Sequence, residues 1–117
     1  MSYPREFRLF IHGGHLSAMS QYWLVRHFKR LEGRKQSFWN KAKALVEDIA
    51  WQLPRPDVVL DVYFTSGNQI LLIDFNPWGN PTDPLLVRGW NRDWTVPAGI
   101  KLMPPPFTVS GDVNVSF

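Results

Sequence analysis

The sequence predicts an α+β fold, a mostly antiparallel four-stranded sheet packed on one amphipathic helix. Two hairpin signals and one long helical periodicity carry that reading. Gly13-Gly14 separates the β-rich runs 6–12 and 15–21, and Thr65-Ser66-Gly67-Asn68 separates 58–64 from 69–75. Between the hairpins, Phe38, Ala42, Leu45, Ile49 and Leu53 recur at three- and four-residue spacing.

The first run, Phe7 to Ile11, alternates so that Arg8 shares a face with Phe10 and not with Phe7 and Leu9. Its turn is a two-residue loop because both glycines tolerate positive φ. Residues 22–36 are basic and read as irregular, with at most a turn of helix. Ser37 is the expected N-cap of a helix over 37–53, with Trp39, Val46 and Ala50 widening the apolar stripe and Pro54 and Pro56 stopping it. Lys41, Lys43, Glu47 and Asp48 fall largely on the opposite side. After Asn76 the density of Pro and Gly forbids a long regular element. The expected organisation is a half-domain over 1–96 and a Pro-rich tail over 97–117, with a short terminal hairpin around Gly111.

Composition narrows the function classes. The chain has 117 residues, 44% hydrophobic and 20% charged, which is one small globular domain and excludes wholesale disorder. Six Trp and eight Phe supply the core. The absence of Cys excludes a disulfide scaffold, a thiolate metal site and a cysteine nucleophile, and agrees with a cytoplasmic location. No apolar run approaches about 18 residues and no signal-peptide pattern opens the chain, so no membrane is expected. The net charge is +3, and eight of the thirteen basic residues lie between Arg26 and Arg55. Such a stretch reads first as a solvated loop and helix face, so nucleic acid is not the expected partner. Trp78, Trp90 and Trp94, interleaved with Arg88 and Arg92, read as cover for a core edge ahead of base-stacking platforms. No Gly-rich phosphate loop precedes a helix, and no nucleophile stands beside a base.

The second hairpin concentrates the chemistry. If Gly67-Asn68 is a two-residue loop, Ser66 faces Gln69 and Asp61 lies directly across from Asp74, their Cβ atoms about 4.5–5.5 Å apart. Asn76 follows on the same face. Two opposed carboxylates need compensation: a wet face, a neutralising Arg, or a divalent cation of the Mg²⁺ type, which takes a few protein oxygens plus water and phosphate. Arg8 is read as solvated or ion-paired, or as a fork of donors for a phosphate. His12 and His15 across the first turn read as a polar turn, and His27 sits among cations and suits no metal.

The runs Glu6 to Ile11, Leu16 to Gln21, Val58 to Tyr63, Leu72-Ile73-Asp74-Phe75-Asn76-Pro77-Trp78-Gly79 and Thr82-Asp83-Pro84-Leu85-Leu86 resemble the cell division cycle protein 123 family in order and approximate spacing. The segment from Ile73 to Leu86 is the most specific piece. That family is an ATP-grasp relative whose eukaryotic members help assemble translation initiation factor 2. The resemblance implies the C-terminal lobe of an ATP-grasp domain, with ATP and Mg²⁺ as cofactors. It implies that Asp61, Asp74 and Asn76 hold the metal and that Arg8 lies near the phosphates. If the module is catalytic, it implies ATP-dependent ligation through an acyl phosphate, but no residue identifies an acceptor and no enzyme is assigned.

The resemblance begins only at residue 5, so the first lobe with its lysines and adenine hinge is expected to be missing. Lys29, Lys35 and Lys41 stand at no matching position. The expected states are a minimal or degenerate member, a split protein whose second lobe is supplied in trans, or a homodimer. The alternative function is a protein-interaction or assembly module that has lost autonomous ATP binding.

Overall fold

A computed structural model of the chain describes residues 5–23, 29–67, 69–103, 107–109 and 113–115. Strands β1 (Glu6–His12), β2 (His15–Gln21), β3 (Val58–Phe64) and β4 (Ile70–Asn76) form two antiparallel hairpins joined by antiparallel pairing of β1 with β3. A fifth strand, β5 (Gly99–Lys101), adds to β2 in parallel, giving the order β4-β3-β1-β2-β5. The sheet is therefore mixed and five-stranded, not four-stranded and antiparallel. The added strand comes from the Pro-rich 97–117 segment, where three residues are too short to show an alternation. Strands β6 (Phe107–Val109) and β7 (Val113–Val115) pair in a separate two-stranded sheet, the expected terminal hairpin. Gly111 itself lies outside the described residues, as do Arg26 and His27.

The first hairpin is closed as its glycines dictate. Gly13 and Gly14 have φ of +59° and +80° between the paired residues His12 and His15. At this turn Asp57 Oδ1 accepts the Gly13 N–H at 2.8 Å and lies 3.2 Å from His12 Nδ1, which makes no hydrogen bond. Among the described residues no group of three His, Asp or Glu is arranged to hold a metal.

The long helix runs over Lys35–Ile49 (α2), preceded by a single turn at Lys29–Glu32 (α1) and followed by a 3₁₀ turn at Ala50–Gln52. The expected start at Ser37 is two residues late. Arg34 occupies the N-cap without a side-chain hydrogen bond, so the helix start is not the hydroxyl cap the sequence suggests. Its buried residues Phe38, Ala42 and Val46 lie on Phe7, Leu9, Met19, Leu60, Val62 and Phe64. No helix of the described residues is long and apolar enough to cross a membrane.

The opposite sheet face holds a smaller core. Phe10, Ala18 and Val59 are covered by Trp94, with Trp78, Trp90, Val87 and Ala98 packed around them. The Trp rings meet at centroid distances of 4.7–5.8 Å and Phe10 stacks on Trp94 at 5.7 Å. The Trp-rich wrap over 77–98 thus covers the core, as its sequence reading expects. Phe38, 5.2 Å from the Phe7 ring and 4.9 Å from the Phe64 ring, is the central anchor of the helix face. Replacing it in Phe38→Ala is expected to cost about 3–5 kcal/mol, read as a lowered urea midpoint with an unchanged slope.

Candidate functional site

The register places one row of side chains across the whole sheet. Lys101 pairs with Ser20, Ser20 with Arg8, Arg8 with Asp61, and Asp61 with Asp74. Residues directly opposite on neighbouring strands share a face, and this is the face away from α2. Asn76 follows Asp74 on β4, paired with Val59. The expected set of Arg8, Asp61, Asp74 and Asn76 is therefore brought together on the side opposite the helix.

The route to that register differs from the hairpin arithmetic. Thr65 N–H donates to the Gln69 carbonyl at 2.8 Å, so three residues separate the last pair, not two. An unbroken ladder from that turn would set Ile73 against Asp61. A bulge instead skips Ile73, because Val62 pairs with Leu72 while Asp61 pairs with Asp74. The longer loop and the bulge cancel.

Arg8 is the centre of the site. Its Nε donates to Asp61 Oδ1 at 2.8 Å and its Nη2 to Asp61 Oδ2 at 2.9 Å, a bidentate pair in which both side chains are over 90% buried. Nη1 donates to the Asp83 carbonyl at 2.9 Å, and the guanidinium lies 5.2 Å from the Tyr22 ring. The hydrogen bond to Asp61 raises the Arg8 pKa above its already high value against the opposing effect of burial. Of the compensations open to the Asp61–Asp74 juxtaposition, a neutralising Arg is present.

Asn76 Nδ2 donates to Asp61 Oδ2 at 2.9 Å, so that oxygen accepts two hydrogen bonds and Oδ1 one. Asp74 is exposed at the sheet rim, its Oδ1 accepting the Phe75 N–H at 2.9 Å. The donor set fits Mg²⁺ in kind, with two carboxylates and one amide as hard oxygen ligands. One positive and two negative charges leave the cluster a net single negative charge, and Asp74 is the member open to solvent.

Three polar groups outside the expected set fasten this part of the fold: Ser20 ties the wrap to the row, Thr82 closes the wrap on itself, and Gln21 holds Met103 beyond it. Ser20 Oγ accepts the Leu86 N–H at 3.1 Å, and the buried Thr82 hydroxyl donates to the Pro77 carbonyl at 2.7 Å. Gln21, fully buried, accepts the Met103 N–H at 3.1 Å through Oε1. The Ser20-Gln21 pair ending an apolar strand is the signal that could have marked them.

This arrangement, a small α+β sheet with an Arg–Asp pair buried under a Pro- and Trp-rich wrap, defines a recognisable class. The chain belongs to the D123 family, which matches residues 1–92. It is 38% identical over 82 residues to a translation initiation factor eIF2 assembly protein of Danio rerio, covering 69% of this chain and 24% of that protein. It is 36% identical over 89 residues to the cell division cycle protein 123 of Candida glabrata, covering 74% of this chain and 24% of that protein. The solved structure of Cdc123 from Schizosaccharomyces pombe superposes with a TM-score of 0.77 at 27% identity, covering 89% of this chain and 42% of that one. The chain spans about a quarter of the length of the curated relatives it matches.

The buried pair makes a testable asymmetry. Asp61→Leu strands a buried guanidinium and is expected to cost about 3–5 kcal/mol, most of it recovered in the double variant Arg8→Met/Asp61→Leu. Asp74→Asn, on the exposed rim, is expected to change stability by less than about 0.5 kcal/mol. Urea unfolding of the four proteins reads all three values.

Proposed function

We propose that this chain is a Mg-ATP-binding module of the ATP-grasp type that works in protein assembly, as the names of its relatives describe for them. The carrying observation is the row of Arg8, Asp61 and Asp74, with Asn76 beside it, on the sheet face away from the helix. Asp74, Asn76 and the Oδ1 atom of Asp61 would hold the cation, which would supply positive charge for a nucleotide's phosphates. Arg8 would keep Asp61 oriented, and its guanidinium would add positive charge beside the phosphates. No substrate that would receive a phosphoryl group is identified by the residues, and the module is assigned no reaction.

The β4 edge supports a second lobe contributed by further polypeptide. On β4, the last strand on this side, whose outer edge has no strand partner among the described residues, Leu71, Leu72, Ile73 and Phe75 are 43–49% exposed. An apolar edge of this length is normally covered. A lobe seated there, in cis or in trans, would border Asp74 and close the nucleotide site against water.

A second reading, an assembly module without nucleotide, is favoured by the neutralisation of Asp61 by Arg8. Amide-resolved NMR titration with millimolar ATP distinguishes the two. The nucleotide reading expects shifts centred on Asp61, Asp74 and Asn76 that require Mg²⁺ and vanish in Asp74→Asn, a substitution that leaves the Arg8–Asp61 pair in place. Shifts indifferent to EDTA, or none in a folded chain, would establish the second reading.

A further inference from the structure

The other edge of the sheet has a different character. Beyond β5 lies a groove of about 590 Å³, walled on one side by the α1–α2 corner and on the other by the 3₁₀ turn Leu85–Val87 and the loop that follows. Ile100 on β5, Leu102 just after it, and Leu86 and Val87 on the wrap are half-buried among its lining residues, and most of the surface it offers is polar. Arg88, Arg92 and Lys101 stand exposed around it. Lys35 on the helix side is already paired with Glu32 at 3.2 Å, whereas among the described residues none of the other three cations forms an ion pair. Arg92 instead lies over the Trp94 ring at 5.2 Å.

The sides of this groove are chemically unlike, and β5 sets the division. Ile100 pairs with Met19, whose side chain faces the helix core, and Lys101 pairs with Ser20, which faces the wrap. Strand β5 is the last strand on this side of the sheet, so its outer backbone edge has no strand partner among the described residues. A polypeptide laid along it would present alternate side chains to the helix side, against Ile100 and Leu102, and to the wrap side, against Lys101, Arg88 and Arg92.

We propose that the β5 groove binds an extended acidic peptide by strand addition, one in which carboxylates alternate with apolar residues. The charge excess on the wrap side selects the carboxylates, and the half-buried Ile100 and Leu102 on the helix side meet the residues between them. The row from Lys101 to Asp74 crosses all five strands, so this groove lies at the opposite edge of the sheet from Asp74 and is independent of nucleotide at that site.

The test uses the intact chain and a fluorescein-labelled peptide alternating Glu and Val, followed by anisotropy. Binding is expected to weaken with salt. It is expected to fall at least tenfold for a peptide of the same composition with the Glu residues blocked together, and for one N-methylated at alternate amides. Arg88→Asn/Lys101→Glu is expected to lose at least tenfold, since Asn tolerates the left-handed backbone at residue 88, where φ is +71°. The charge-matched control Arg55→Asn/Lys43→Glu is expected to bind as the parent does. Circular dichroism establishes that each protein is folded. Equal losses in both variants would reduce the effect to net charge and overturn the proposal. So would indifference to N-methylation, absence of binding by the folded parent at millimolar peptide, or tighter binding of an oligonucleotide of equal charge that displaces the peptide.

Discussion

The buried bidentate pair between Arg8 and Asp61 is the constraint on which the wrapped face of this domain depends. Taking two charges out of water is costly, and the cost is offset only where geometry is good and the remaining donors and acceptors are met. Here they are. Arg8 has Asp61 on two of its nitrogens, the Asp83 carbonyl on a third and Tyr22 against its plane, while Asp61 also accepts from Asn76. The pair joins β1 to β3, the link between the two hairpins, and the Asp83 contact holds the wrap above it. One ion pair thereby fixes a strand pairing, a loop path and the charge of the candidate site.

Its consequence for function is electrostatic. Without Arg8, Asp61 and Asp74 would be two carboxylates facing each other on one row, which is unfavourable in the absence of a cation. With Arg8 in place, the row stands formed in the bare protein, and its residual negative charge is displaced to the exposed rim at Asp74. The sheet is asymmetric as a result. Its β4 edge is apolar with acid at the rim, and its β5 edge borders a groove rich in exposed cations. Coverage produces part of that asymmetry, since Ile100 of β5 packs against the helix-side core while Leu71, Leu72, Ile73 and Phe75 of β4 stay exposed.

Much of the candidate site was legible in the residues, though not always by the right route. Alternation alone placed Arg8 on the Phe10 face and Asp74 with Asn76. The opposition of Asp61 and Asp74 was reached from a two-residue loop, and the molecule reaches it from a three-residue loop and a bulge at Ile73. A bulge at Ile73 leaves no mark in the run Ile70 to Ile73, where successive apolar residues suit either face of the sheet. Ser20 was visible as a polar residue closing an apolar strand, but its contact with Leu86, like that of Arg8 with Asp83, joins residues more than sixty apart, one of each pair in a Pro-rich segment without periodicity.

The sequence by itself determined the local elements. Two glycines set the first turn, a three-to-four residue stripe set the long helix, and β-branched and aromatic runs set four strands. These depend on interactions within a few residues, where composition acts directly. Only the tertiary structure decided that β1 lies between β2 and β3, that residues 99–101 join the sheet in parallel, and that Arg8 meets Asp61 across 53 residues. Such pairings are chosen by comparing whole arrangements, in which burial of Phe7 and Leu60 on one face and of Phe10 and Val59 on the other must be met together. No short stretch of the chain carries that comparison.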